Sequence, residues 1–270
     1  MIKMNFFSIL SASAVIPSSD GAWENDIHGA MKRRDPRLWH IAYVAAARAA
    51  AKSPREPVSV AMATALGALD ETKNFLDGIY ADGFGSPRNF IASVHNSMAG
   101  KIAMELKIPG PNLTFCDGCN SFASAVAACE LLRADDFPVL VVAADENIDL
   151  LDRLIPYLSL SCRSAWRTPT QEGAIAFVVD QDPNAAGWKI RSTGPLFIGD
   201  ENADTACRKM IQTPEDAMPL TVILPSECQG SPIAAAALAH QLVTNNAAGS
   251  YAIGSFSPSS KSIALVTLCR

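Results

Sequence analysis

The chain has 270 residues, 49% of them hydrophobic and 18% charged, enough apolar material for a sizeable core in one large domain or in two halves that share a sheet. A formal net charge of -5 with no lysine or arginine tract excludes the electrostatic footprint of a nucleic-acid binder, and no run reaches the ~20 apolar residues of a membrane helix. The seven cysteines form no dense disulfide framework: Cys129, Cys162, Cys207 and Cys269 sit beside apolar or small residues, as reduced core cysteines do, which suggests a cytoplasmic setting.

In chain order, Lys3 and the following "MNFFSILSASAVIP" combine a charge, an apolar run and an Ala-x-Ala-like step at residues 12–14, the ingredients of a signal peptide. The run is short and serine-interrupted, and it reads as a first core strand. Lys32, Arg33 and Arg34 are the one short basic run, more in keeping with a solvated helix end than with an acidic partner. "DPRLWHIAYVAAARAAAKSP" has apolar residues at helical spacing up to Pro54. "PVSVAMATAL" is a strand, residues 70–80 a helix, and "FGSPRNFIASVHN" a Gly-Pro-rich return loop before a helix over 97–106. "KIPGP" stops that helix. A strand at 112–116 and a helix at 120–133 follow.

"PVLVVAADE" is a near-continuous apolar run, as suits a strand buried on both faces. "GAIAFVVD", "WKIRSTGPLF", "PLTVILPSE", "SYAIGSF" and "SIALVTLC" read as further strands, with residues 233–243 the one clear late helix. The pattern predicts an α/β architecture with a mixed sheet, without an exact sequence repeat. "DQDPNAAG" is the expected seam between a first half (1–185) and a second (186–270).

The stretch "LTFCDGCNSFASAVAAC" is the chemical focus. A structural zinc site needs four Cys or His ligands, generally as two close pairs, and the four histidines, His28, His40, His95 and His240, lie near no second cysteine pair. A redox Cys-x-x-C would put its first cysteine at the helix start, whereas here the second, Cys119, occupies the turn and Asp117 adds a repelling charge. No metal or cofactor is called for. A strand ending near Cys116, a turn at Gly118 and a helix after Cys119 would set that sulfur over backbone N–H groups, as in an activated nucleophile. The alternative, a small buried residue in a crowded turn, is equally compatible with these residues.

From "DPRLWHIAYVAAARAA" through "ATALGALDETKNFLDGI", "SPRNFIASVHNSMAGKIAMELKIPGPNLTFCDGCNSFASAVAACELL", "PVLVVAADE" and "EGAIAFVVD", the chain resembles the N-terminal half of a β-ketoacyl synthase. The final third resembles the same family in shortened form. The resemblance implies a thiolase-like, layered α/β/α/β/α fold with mixed sheets, and it puts Cys119 at the acyl-accepting cysteine. Active members also carry two histidines that stabilise developing negative charge, one in a His-Gly-Thr-rich loop and one in a glycine-rich His-Asn turn. Here the first place reads "LPSECQGSPIAAAALAH", with Ser226, Glu227 and Cys228 at the His-Gly-Thr run. The second reads "GSFSPSSKSIALVTLCR", with residues 258–260 replacing the turn.

A scaffold that loses these groups resembles the chain-length-factor subunits of type II polyketide systems, and most closely the ketosynthase-like subunits of aryl polyene clusters. Such a chain is expected to pair with an active ketosynthase, to meet an acyl carrier protein, and not to condense by itself. Chain-length factors commonly replace the nucleophile, whereas Cys119 is kept. Residues 89–98 and 113–116 then fall at the family's dimer face, so His95, Asn96, Met98, Phe115 and Phe122 are candidates for the interface or for a tunnel, with Met104 a further tunnel candidate. His95 also reads as a loop residue, and Met98, Met104 and Phe122 as core. The competing expectations are a self-sufficient condensing enzyme or acyltransferase using Cys119 with Glu227 or His95, and a purely structural scaffold.

Overall fold

The computed structural model describes residues 6–18, 21–28, 30, 34–154, 172–182, 186–211, 220–224 and 232–270. Its described strands form one hydrogen-bonded sheet whose order repeats itself. Strand β1 (Phe7–Val15), helices α1 (Ala22–Ile27) and α2 (Arg37–Lys52), β2 (Ser59–Ala63), α3 (Leu69–Asp82), α4 (Pro87–Ser93), α5 (His95–Leu106), β3 (Asn112–Phe115), α6 (Ser121–Ala128), β4 (Val139–Asp145), α7 (Asp149–Leu154) and β5 (Gly173–Asp180) make the first part. Then come β6 (Lys189–Phe197), α8 (Ala203–Ile211), β7 (Leu220–Ile223), α9 (Pro232–Thr244), β8 (Ser250–Ser257) and β9 (Ser262–Cys269).

The sheet order is β3-β2-β4-β5-β1-β6-β9-β8-β7. Read outward from β1, the first subsheet runs β1-β5-β4-β2-β3, with two antiparallel pairings followed by two parallel ones. Read outward from β6, the second runs β6-β9-β8-β7, again two antiparallel pairings and then a parallel one. Among the described residues the second subsheet is the first one short of its last strand. The two are joined, among the described residues, by a short ladder, Phe7 with Ile190 and Ser8 with Lys189, continued by the Ile9 N–H donating to the Trp188 carbonyl at 2.8 Å.

Period-two alternation decides which layer each side chain enters. In β4, Val139, Val141 and Ala143 face an inner core that contains α6 and α9 (Phe122, Val126, Ile233, Ala236) together with β6, β8 and β9 (Ile190, Ile253, Val266). Leu140, Val142 and Ala144 face an outer core formed with α2 and α5 (Leu38, Ile41, Met98, Ile102). A third core packs Ala206 and Cys207 of α8 on Ala252, Ile263 and Leu265. The layers are outer helices, first subsheet, α6 with α9, second subsheet, and α8.

Several expected boundaries change. "FGSPRNFIASVHN" is not all loop. Ser86 caps α4 by accepting the Asn89 N–H (3.5 Å) and Pro87 follows as the first helical residue, a position where the missing proline N–H costs nothing. The helix expected at 120–133 ends at Ala128 and tightens into a 3-10 turn over Cys129–Leu131. Helix α8 lies in a segment where no helix is expected from the apolar pattern. Its start is marked by Asn202, whose Oδ1 accepts the Thr205 N–H at 3.1 Å. The run that combined signal-peptide and strand features contains β1, near the middle of the sheet between β5 and β6.

Candidate functional site

The polypeptide leaves β3 at Phe115, turns through Asp117 and Gly118, and enters a 3-10 turn (Gly118–Asn120) continuous with α6. Gly118 has φ of +51°, and a Cβ there would lie 2.7 Å from the Ser257 hydroxyl oxygen. Both the left-handed backbone and this approach require glycine. Cys119 follows and is 7% exposed.

Two polar side chains flank it and reach the same hairpin of the second subsheet. Asn120 is fully buried. Its Oδ1 accepts the Ser255 hydroxyl at 2.7 Å, and its Nδ2 lies 3.0 Å from both the carbonyl and the hydroxyl oxygens of Ser262. Asp117 accepts the Ser260 hydroxyl (3.3 Å) and the Ser124 hydroxyl (3.5 Å), while burial pushes its carboxyl above the ordinary range against those two bonds. The Ser260 and Ser262 hydroxyls are 2.6 Å apart, and those of Ser257 and Ser259 are 3.3 Å apart. Residues 258–260, the stretch aligned by resemblance with the family's His-Asn turn, are therefore at the tip of the hairpin that rests on the Cys119 elbow, where Ser259 and Ser260 bring hydroxyls.

A second set of contacts supports the elbow from below. Asp145, at the carboxyl end of β4, accepts the Thr64 hydroxyl (2.6 Å) and the N–H groups of Ala65 (3.0 Å) and Leu66 (3.1 Å). Burial pushes its carboxyl up to about 6, opposed by those donors. The loop fixed in this way offers the Ala65 carbonyl to the Cys116 thiol at 3.3 Å and the Thr64 carbonyl to the Ser121 hydroxyl at 3.0 Å. The Cys116 thiol is held above its ordinary pKa, first by burial and then by Asp145 and Asp117, the reverse of what a thiolate ligand or redox cysteine needs. Among the described residues no three His, Cys, Asp or Glu side chains form a metal-binding group.

The sequence-derived candidates are spread over several surfaces. His95 opens α5, exposed, with its ring so close to Gly67 that a Cβ there would stand 2.9 Å from Cδ2. Asn96 beside it is exposed and Phe115 half-buried. Met98 lies in the outer core and Phe122 in the inner one, on opposite faces of the first subsheet, while Met104 is 71% exposed. His40 Nδ1 lies 3.2 Å from the Ile27 carbonyl. His240 meets Phe177 edge-on, its pKa lowered by burial and then by Lys52. Lys32, Arg33, Cys162, Ser226, Glu227 and Cys228 lie outside the described residues.

Asn120, Asp145 and the hairpin serines were not among the candidates. For Asp145 a signal existed, an acid closing a continuous apolar strand at the edge where α/β sheets place their sites.

The chain also exposes apolar side chains: Phe90, Ile91 and Val94 on and after α4, and Leu76, Ile79, Tyr80 and Phe84 on and after α3, two helices that pack on each other. Strand β3, the end of the sheet, pairs with β2 on one side. Among the described residues no helix is long and apolar enough to cross a membrane.

Comparison with known proteins agrees with this architecture. The model of the β-ketoacyl synthase N-terminal domain matches residues 12–184. The ishigamide ketosynthase/chain length factor superposes with a TM-score of 0.71 at 15% identity, over 98% of this chain and 99% of that one. The ketosynthase ApeO in complex with its chain length factor ApeC from Xenorhabdus doucetiae gives 0.62 at 16% identity, over 98% and 99%. The type II complex AntDE:AntF, an acyl-carrier protein with its ketosynthase, gives 0.75 at 12% identity, over 97% and 99%. No curated protein sequence matches. The fold is the mixed α/β arrangement of the thiolase-like ketosynthases, and the chain belongs to the β-ketoacyl synthase family.

Proposed function

We propose that this chain is a ketosynthase-like subunit that works beside a condensing β-ketoacyl synthase, as a chain-length factor in polyketide or aryl polyene elongation, rather than condensing acyl groups alone. One observation carries the reading. The hairpin resting on the Cys119 elbow presents Ser257, Ser259 and Ser260, where active members resembling this chain carry a histidine. Decarboxylation of malonyl and attack on an acyl thioester both build negative charge, and losing a preorganised donor to that charge costs about 3–4 kcal/mol of barrier. The four histidines of the chain fall at neither of the family's two histidine loops.

The partner surface in this reading is the β3 edge together with α4. An edge strand offers unpaired N–H and C=O groups to a partner strand, and Phe90, Ile91 and Val94, on and after the helix that packs on α5, the neighbour of β3, are 54%, 61% and 43% exposed. The repeated strand order supports taking residues 1–185 and 186–270 as the two related halves. An acyl carrier protein would bring the growing chain to the pair.

Co-expression with candidate ketosynthases is expected to give a one-to-one complex on sizing, and product length is expected to change when this chain is omitted. Purified chain that elongates carrier-bound thioesters by itself, or that stays a monomer beside every candidate synthase, would sink the reading.

A second reading is favoured by the kept thiol: Cys119 accepts an acyl group without condensing it. In the exchange, the Cys119 thiol displaces the carrier thiol at the acyl carbonyl; the new thioester is on Cys119 and the proton leaves with the carrier. Intact-mass measurement is expected to show the acyl increment on the chain and its loss in Cys119→Ala; an increment that survives the substitution assigns the acyl group elsewhere.

A further inference from the structure

Asp117 and Asn120 both stand at helix starts, the first before the 3-10 turn and the second before α6. Both residue types are strong helix caps, yet neither side chain bonds the N–H groups of the helix it precedes. Both reach instead across to the β8–β9 hairpin, more than a hundred residues away in sequence, Asn120 to Ser255 and Ser262 on its strands and Asp117 to Ser260 at its tip. The Ser260–Ser262 hydroxyl contact joins the two arms. Cys119 therefore lies within a polar clamp, with Asp117 on one side, Asn120 on the other and the hairpin holding both.

We propose that Asp117 and Asn120 are positioning residues for the Cys119 thiol: diverted from capping, their side chains clamp the elbow to the β8–β9 hairpin and hold the sulfur at the start of α6. This inference rests on reading Cys119 as the acyl-accepting position and adds what fixes it there. The fixed placement matters because a helix start favours a thiolate only within its first turn. If the elbow is released, the sulfur samples other directions and loses that stabilisation. Neutral serines suit this role, because they tie down Asp117 and Asn120 without adding a charge to that of Asp117. Asn120 is suited as well: its amide both donates to Ser262 and accepts from Ser255, which aspartate, an acceptor only, cannot do.

The test is the pH dependence of iodoacetamide alkylation in the folded, full-length chain, followed cysteine by cysteine by peptide mass spectrometry. Asn120→Ala is expected to move the Cys119 midpoint up by about one pH unit. The paired hydroxyl deletions Ser255→Ala and Ser262→Ala, which leave the elbow's own residues intact, are expected to move it in the same direction by a smaller amount, because the Ser262 carbonyl still accepts from the Asn120 amide, and combining them with Asn120→Ala to add nothing. Ser260→Ala, which removes the tie of Asp117 to the hairpin while keeping its charge and its bond from Ser124, is expected to move it in the same direction. Cys129 and Cys207, 0% and 1% exposed, should stay protected throughout.

An unchanged midpoint in these variants overturns the proposal, as does a Cys119 that remains unalkylated at every pH. Acceleration of Cys119 together with Cys129 and Cys207 also overturns it, because that is general loosening. A wild-type Cys119 with a clamp-dependent midpoint that takes no acyl group from a carrier thioester counts against the acyl-acceptor reading alone.

Discussion

Phe122→Ala is expected to lower the free energy of unfolding by about 3–5 kcal/mol, measured by urea denaturation. Phe122 is fully buried, its ring 5.8 Å from that of Phe177. The inner core around it draws on α6, α9 and strands of both subsheets. No single element can close the space a lost ring would leave, so the residual cavity adds to the lost transfer free energy. A side chain lining a tunnel already borders empty space, and its truncation would cost well under half as much while changing product length. A stability loss below about 1 kcal/mol would remove Phe122 from the core.

Glu146→Gln is expected to stabilise the protein at pH 8 by roughly 2–3 kcal/mol and to have little effect at pH 5. Glu146 is 4% exposed, and its Oε1 is buried without a hydrogen-bond partner. Burial first, and then the Asp70 and Glu71 charges, push its carboxyl up to about 7, opposed by the Asp70 backbone N–H and by Arg37. The unfolded carboxyl titrates near 4.5, so between the two values the folded state binds the extra proton.

Stability therefore falls as the pH rises through that window, and the deficit is complete above the folded value. Asp145, pushed up to about 6 from 3.8, adds a deficit of the same sign at slightly lower pH. Urea titrations of wild type and variant at pH 5 and pH 8 measure the difference. Equal stabilities for the two proteins at pH 8 would show that Glu146 ionises without penalty.

What could be read from the residues is the local and the repetitive. β4 announces itself as doubly buried by an unbroken apolar run, and the structure divides that run between two cores, residue by residue. The elbow is legible because strand, glycine and helix are adjacent in the chain. Helix α4 was also legible, since Ser86 and Pro87 are a cap followed by a first-turn proline, but the glycine and proline content of the surrounding segment pointed to a loop. Helix α8 shows few apolar residues, and its signal is the Asn202 cap with Arg208 and Lys209 in its last turn.

The Asn120 contacts span 135 and 142 residues, and no spacing rule connects an asparagine to serines at that distance. The repeated subsheet order is hidden for a related reason. Strand order is set by backbone pairing and crossover, which dissimilar side chains satisfy equally well, as "VLVVAAD" and "SYAIGSFS" do in the matching strands β4 and β8.

The short ladder that joins the subsheets among the described residues bears on how the protein comes apart. So short a ladder contributes little cohesion, and the subsheets are held by what lies between them. There α6, encoded in the first half, packs on β6 and β9 of the second, and α9, encoded in the second half, packs on β1, β4 and β5 of the first. Each half thus supplies a helix that the other needs to cover its apolar strands. Cutting the chain near residue 186 would leave each fragment with an uncovered sheet face and a helix lacking half its seat. The strand order repeats, yet the exchanged helices predict that the two subsheets unfold as one cooperative unit, because melting of either removes the support of the other.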